Sequence, residues 1–216
     1  MRIHNAIPLI ATLCSLVLIS GCADTLYPSM GDYMASKKLK TPTIASFPHC
    51  QNYDCAVVKN VTLGKSEWKR IDTAFGKKAK SAEQEREKIA KTIGVFEQVL
   101  GPITRTEGDR EGTFIQTGDG QLDCVDESTN TTVYLTLLQQ KGLIKFHEIG
   151  QPEVRYPLIS GRGWMHQTAV VTDTKTKERY AVDSWFEDNG APAHIVPLET
   201  WRNGWHPDKE KVTNQP

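Results

Sequence analysis

The chain has 216 residues, with 26 basic and 26 acidic side chains, so its formal net charge is zero. That balance gives no support to a basic surface for nucleic acid. The length is enough for one domain with a core of reasonable size.

Arg2 is the only formally charged residue before Asp24, and Ala6 to Ile19 is almost wholly apolar. This run is shorter than the ~20 apolar residues that span a bilayer, so residues 1–21 read as a secretory signal rather than a membrane helix. Ile19-Ser20-Gly21-Cys22 resembles the lipobox of bacterial lipoproteins. The resemblance implies cleavage before Cys22, a diacylglycerol on its thiol and attachment to a lipid bilayer. An ordinary secretory signal that happens to contain Cys22 is the alternative. Ala23, where an aspartate would favour the inner membrane, points by the same resemblance to the outer membrane, facing the periplasm. Residues 22–45, with Pro28, Gly31, Lys37, Lys38, Lys40 and Pro42, lack sustained periodicity and are expected to form a tether. Residues 46–216 are expected to be a single domain.

Cys50 and Cys55 enclose four residues in CQNYDC, and an exported protein favours a local disulfide there. A metal at this place would need two further ligands, and only His49 is adjacent. The spacing also lacks the two-residue gap of thioredoxin-type redox sites. A short helix is expected over Ser66 to Phe75, with Trp68, Ile71 and Phe75 on one side. Ser81 with Gln84 fits a capping box for the next helix, which carries Ile89, Ile93, Phe96 and Leu100 and is expected to stop at Gly101-Pro102. Residues 105–123 read as a polar loop. Asp123 is placed to cap a helix from Cys124 to Lys141, ended by Gly142. Period two then appears in Met165 to Val171 and Arg179 to Trp185, two strands joined by Thr172 to Glu178. Helices followed by strands suggest an α+β fold.

Five cysteines occur, at 14, 22, 50, 55 and 124. With Cys14 in the signal, Cys22 lipidated and Cys50 paired to Cys55, Cys124 is left as a free thiol. It is either a small apolar core residue or a nucleophile. At a helix start, the helix dipole favours its thiolate. A thiolate nucleophile needs a base, and the base needs an orienting group. If His166 and Asp183 face each other across a hairpin, the turn centres between Thr174 and Lys175, inside the expected connection. Asp183 would then hold the imidazole and His166 would take the Cys124 proton as the helix packs on the sheet.

Cysteine at a helix start, then histidine and aspartate on consecutive strands, resembles the transglutaminase-like branch of the papain-like fold. The resemblance is strongest to the bacterial transglutaminase-like cysteine peptidases, through Asp123-Cys124, MHQTAVV around His166 and YAVDSW around Asp183. It implies a papain-like core with N-terminal helices on an antiparallel sheet. It also implies catalytic roles for Cys124, His166 and Asp183, and a peptide or protein substrate in the periplasm. No cofactor is expected. Calcium, known in some members, is weakly suggested by Asp119, Asp123 and Asp126, although Val125 stands where the family has an acidic residue. Gln121 is a candidate oxyanion donor, and Trp164, Trp185, Trp201 and Trp205 line either a cleft or the core. A binding or scaffold lipoprotein that keeps the fold without catalysis is the competing expectation.

Overall fold

Ser29 opens the first helix of the computed structural model, which describes residues 29–114, 118–156 and 165–207. The expected signal, the lipid site at Cys22 and Trp164 lie outside the described residues. The Ser29 hydroxyl accepts the Asp32 N–H at 3.2 Å and caps α1 (Met30–Ser36). Tyr33 and Met34 of this helix, and Leu39 beyond it, are buried in the main core. The tether expected over 22–45 is thereby corrected, because its later part folds onto the domain.

Strands β1 (Phe47–Gln51) and β2 (Val57–Val61) pair antiparallel, Phe47 opposite Val61 and Gln51 opposite Val57. All five residues of β1 are buried, so the sequence shows no alternation there. In the turn, Asn52, Tyr53, Asp54 and Cys55 are all left-handed, with φ from 54° to 66°. Such residues cost ~1–2 kcal/mol each. A disulfide between Cys50 and Cys55, whose Cα atoms are 4.6 Å apart, closes the turn.

Helices α2 (Lys65–Phe75) and α3 (Ala82–Thr104) pack on each other. Ser81 Oγ accepts the Gln84 N–H, and Gln84 Oε1 accepts the Lys80 N–H at 2.8 Å. The expected stop at Gly101-Pro102 is corrected. The helix runs to Thr104, and the left-handed Arg105 donates its N–H to Gly101 O at 2.6 Å. Gly101 answers a packing need instead, since a Cβ there would meet Glu107 Cα at 2.8 Å.

Helix α4 (Cys124–Gln140) is the centre of the molecule, buried along nearly its whole length. Its many polar residues are satisfied inside the fold. Thr129 Oγ1 donates to Val125 O at 2.6 Å, and Thr132 Oγ1 donates to Ser128 O at 2.7 Å. Asn130 mimics a neighbouring strand, accepting Cys50 N–H at 2.7 Å and donating to Cys50 O at 2.9 Å.

A four-stranded antiparallel sheet completes the α+β fold, in the order β3 (His147–Arg155), β4 (His166–Asp173), β5 (Arg179–Asp183), β6 (His194–Pro197). One face, with Ala169, Val171 and Val182, joins the core that includes α4. The other, with Val170 and Ala181, is covered by Leu198 and Trp201 of α5 (Leu198–Arg202). Among the described residues, no helix is long and apolar enough to cross a membrane.

The hairpin register differs from the expected one. Ala169 pairs with Val182, so His166 and Asp183 are diagonal neighbours, two residues out of face-to-face pairing. A two-residue offset keeps both on the same face, where a one-residue offset would have separated them.

Candidate active site

Cys124 is positioned by the cap in front of it. Asp123 Oδ1 accepts the N–H groups of Val125 and Asp126 at 3.0 and 2.8 Å, which fixes where α4 begins. The disulfide-closed turn docks on this first helical turn. Asp54 N–H donates to Asp123 Oδ2 at 3.1 Å, and Tyr53 and Cys55 N–H donate to the Asp126 carboxylate at 2.7 and 2.8 Å. Asp123 and Asp126 thus serve as backbone acceptors. Among the described residues, the one three-donor group for a metal is Cys50, Cys55 and Asp126, and its two sulfurs are bonded to each other. Asp119 does not join a gathered set, so these residues do not fit the calcium site suggested for them.

His166 and Asp183 meet at one end of the sheet. His166 Nε2 lies 2.7 Å from Asp183 Oδ2, and each residue is 2% exposed. The same oxygen accepts the Trp201 indole N–H at 2.7 Å. The other ring nitrogen, Nδ1, is buried and has no hydrogen-bond partner among the described residues. The imidazole is packed between Trp185 and Trp201, with ring centroids at 4.6 and 5.5 Å, and against Phe186 at 5.0 Å.

The nucleophile candidate approaches from the opposite side of the sheet. His166 and Asp183 project from the α5 face, whereas α4 packs on the face of Ala169 and Val182. The helix packs on the sheet as expected, but on the face opposite His166, with its first residue at the end of the sheet where β4 begins. There Cys124 clusters with Val125, Trp185 and Phe186, and the backbone N–H of Gln167, next to His166, acts on its sulfur. Burial is the strongest influence on the thiol, pushing it from 9.0 up to about 12, and the charges of Asp123 and Asp183 act in the same direction. The Gln167 N–H opposes them. The expected thiolate-favouring effect of the helix end is thus outweighed. A helix terminus contributes up to ~2 kcal/mol, while full burial shifts a group by up to ~3–5 pH units.

A polar network supports the site from below. Gln167 Nε2 donates to Ser128 Oγ at 2.7 Å and to Tyr33 Oη at 3.0 Å, and Ser128 Oγ donates to Cys124 O at 2.6 Å. Ser184, next to Asp183, donates to Glu127. Asp109 Oδ1 accepts the Leu122 N–H at 2.7 Å and fixes the approach to Cys124. Burial, followed by the Glu127 charge, raises Asp109 to about 9, and burial also raises Glu97 and Glu127.

The Gln121 amide is engaged elsewhere, accepting the Arg110 N–H at 3.0 Å and donating to Gly108 O at 2.8 Å. It is corrected as an oxyanion donor. Of the expected tryptophans, Trp201 and Trp185 are buried against His166, and Trp205 packs edge-on against Phe186 at 5.8 Å. Sequence reasoning missed the link from Trp201 to Asp183 and the roles of Tyr33 and Gln167. Each joins elements distant in the chain, and no local pattern marks them. The surface hollow lined by Trp68, Asp72 and Lys141 contains none of these residues. Comparisons with family models, with curated proteins and with solved structures find no match to the chain.

Proposed function

We propose that this protein is a cysteine hydrolase or acyltransferase with a papain-like, transglutaminase-like core, acting on a peptide or other amide. The observation that carries the reading is the buried His166–Asp183 pair with its unpartnered Nδ1, packed against Trp185 and Phe186, the same two rings that cluster with Cys124. Cys124 is also the one free cysteine among the described residues.

The chemistry follows from the arrangement. His166 Nδ1 takes the Cys124 proton as the sulfur attacks a carbonyl carbon. Asp183 stabilises the imidazolium through Nε2. The tetrahedral intermediate collapses, the amine leaves with the proton from His166, and a thioester remains on Cys124. Water or a second amine then attacks the thioester and restores the thiol. Because burial holds the thiol up at about 12, proton transfer to His166 accompanies attack rather than preceding it.

Lipidation at Cys22, on the outer membrane facing the periplasm, belongs to the same proposal. Helix α1 begins eight positions after Cys22, a span of at most ~28 Å, so the anchor would hold the domain close to the bilayer. Palmitate labelling that is lost in Cys22→Ala supports this, and unchanged labelling opposes it.

A second reading, a binding or scaffold protein that keeps the fold without catalysis, draws on one observation. Cys124 is only 4% exposed. Incubation with a mixture of peptide amides separates the two. The enzyme forms a hydroxylamine-sensitive acyl adduct on Cys124 that His166→Ala fails to form, and a scaffold forms none.

A further inference from the structure

Three chain connections meet at the end of α4 opposite Cys124. Residues 76–81 join α2 to α3, residues 141–146 join α4 to β3, and residues 174–178 join β4 to β5. Hydrogen bonds tie them together. Glu85, in the first turn of α3, accepts the N–H groups of Lys145 and Phe146 at 2.8 and 2.9 Å, and the Phe146 carbonyl accepts the Thr174 N–H at 2.9 Å. Lys141 pairs with Asp72, near the end of α2, at 3.1 Å. Cys124 lies at the other end of the 17-residue helix, ~24 Å away.

The two ends differ in charge. The three connections hold seven lysines, one acid (Glu178) and no arginine. Lys77, Lys78, Lys80, Lys145, Lys175 and Lys177 are exposed, and none of the six forms an ion pair among the described residues. The nearest acids are engaged. Asp173 accepts N–H groups from Lys175 and Thr176 and faces Arg86 at 3.9 Å, and Glu178 accepts the Tyr180 hydroxyl at 2.6 Å. The exposed Glu83, Glu87 and Glu148 lie within α3 and β3 rather than in the connections. At the Cys124 end, residues 105–114 and 184–193 hold five acids against two arginines. Asp109 and Trp185 bring these two segments to Cys124.

We propose that this lysine end docks on an anionic phospholipid bilayer and stands the Cys124 site off the membrane. The choice of a bilayer as occupant rests on the Cys22 anchor proposed above. Met30 and Gly31 share a hollow with Thr136, so α1 begins beside the half of α4 that leads to the lysines. Lysine without arginine suits a bilayer. An ammonium on a flexible stem is a hydrated point charge that follows a mobile layer of phosphates, whereas a defined acidic partner favours the guanidinium fork. The same phosphates repel the acids around Cys124, which adds to the orientation. An amide substrate then reaches Cys124 from the aqueous side.

The test places the full-length protein on vesicles of phosphatidylcholine, or of phosphatidylcholine and phosphatidylglycerol in equal parts, and reads lysine acetylation rates by peptide mass spectrometry. Lys77, Lys78, Lys175 and Lys177 are expected to react about threefold more slowly on the anionic vesicles. Concentrated salt is expected to abolish the difference, since ~1 M screens exposed charges beyond ~3 Å. Lys59, whose ammonium donates to the Thr104 carbonyl at the far end of α3, is expected to react alike on both. Equal rates for the four lysines on the two vesicles, or slowing of Lys59 to the same degree, overturns the proposal. Slowing by added polyglutamate but not by phosphatidylglycerol also overturns it and assigns the end to an acidic protein. Flotation separates docking from the anchor. A chain that fails to float with phosphatidylcholine vesicles lacks the Cys22 lipid, yet if it floats with the anionic vesicles and shows the slowing, the lysine end docks without it. A chain that floats with neither overturns both.

Discussion

Trp201 donates its indole N–H to Asp183 Oδ2 at 2.7 Å, the same oxygen that holds His166 Nε2. The carboxylate is thereby fixed from two sides within a buried cage. Trp201→Phe removes one hydrogen bond to a charged acceptor and is expected to cost ~1.5–3 kcal/mol. Urea denaturation measures this. The same variant is expected to slow reaction at Cys124, because Asp183 loses its second tether. Wild-type stability in Trp201→Phe contradicts the role.

Stability is expected to fall as pH rises from 6.5 to 9. Burial, then the Glu127 charge, raises Asp109 from 3.8 to about 9, so between these values the folded protein keeps a proton that the unfolded chain has lost. That contribution is complete below 3.8, declines as pH rises and is gone above about 9. His49 acts oppositely. Burial, then Lys59, lowers it from 6.5 to about 3, so its contribution falls as pH drops below 6.5 and offsets the Asp109 gain over that range. Thermal transitions from pH 5 to 9 in wild type and Asp109→Asn check this, and Asp109→Asn should flatten the alkaline limb. A transition that rises steadily to pH 9 rules it out.

The Cys50–Cys55 bridge closes a short loop, for which chain entropy gives ~2 kcal/mol. It also holds four left-handed residues, of which Tyr53, Asp54 and Cys55 give their N–H groups to Asp123 and Asp126. Cys50→Ala/Cys55→Ala is expected to lose at least this amount and to loosen the start of α4. Hydrogen exchange at Val125 and Asp126 reports the second effect. Unchanged protection there means the turn does not support the helix.

Gly94 lies where α3 meets the turn before β6. A Cβ would come within 2.5 Å of Ala191 O and 2.7 Å of Gly190 O, both backbone atoms. Gly94→Ala should therefore destabilise by ~1–3 kcal/mol despite alanine's better helix propensity. A more stable variant would mean the turn moves freely.

The parts of the fold legible in the sequence were those set by local chemistry. Ser81 and Asp123 cap helices through groups two or three residues away, so α3 and α4 start where the pattern placed them. His166 and Asp183 share a face because period two fixes their parity. The turn shifted their register, with Asp173 Oδ1 accepting N–H groups from Lys175 and Thr176 at 2.8 and 3.0 Å. Long-range contacts were hidden. Helix α1 is ordered by burial of Tyr33 beside Thr129 and Gln167, and β1 is buried on both sides and so carries no alternation. The cost of burying Cys124 is likewise a property of its neighbours.

The most direct test of the central claim is the rate of Cys124 alkylation in the folded protein at pH 7, wild type against His166→Ala, read by intact mass and peptide mapping. The predicted result is a single adduct at Cys124 in wild type, formed about a hundredfold more slowly in His166→Ala. Equal rates in the two proteins, or labelling of Cys124 only after unfolding in urea, would contradict it.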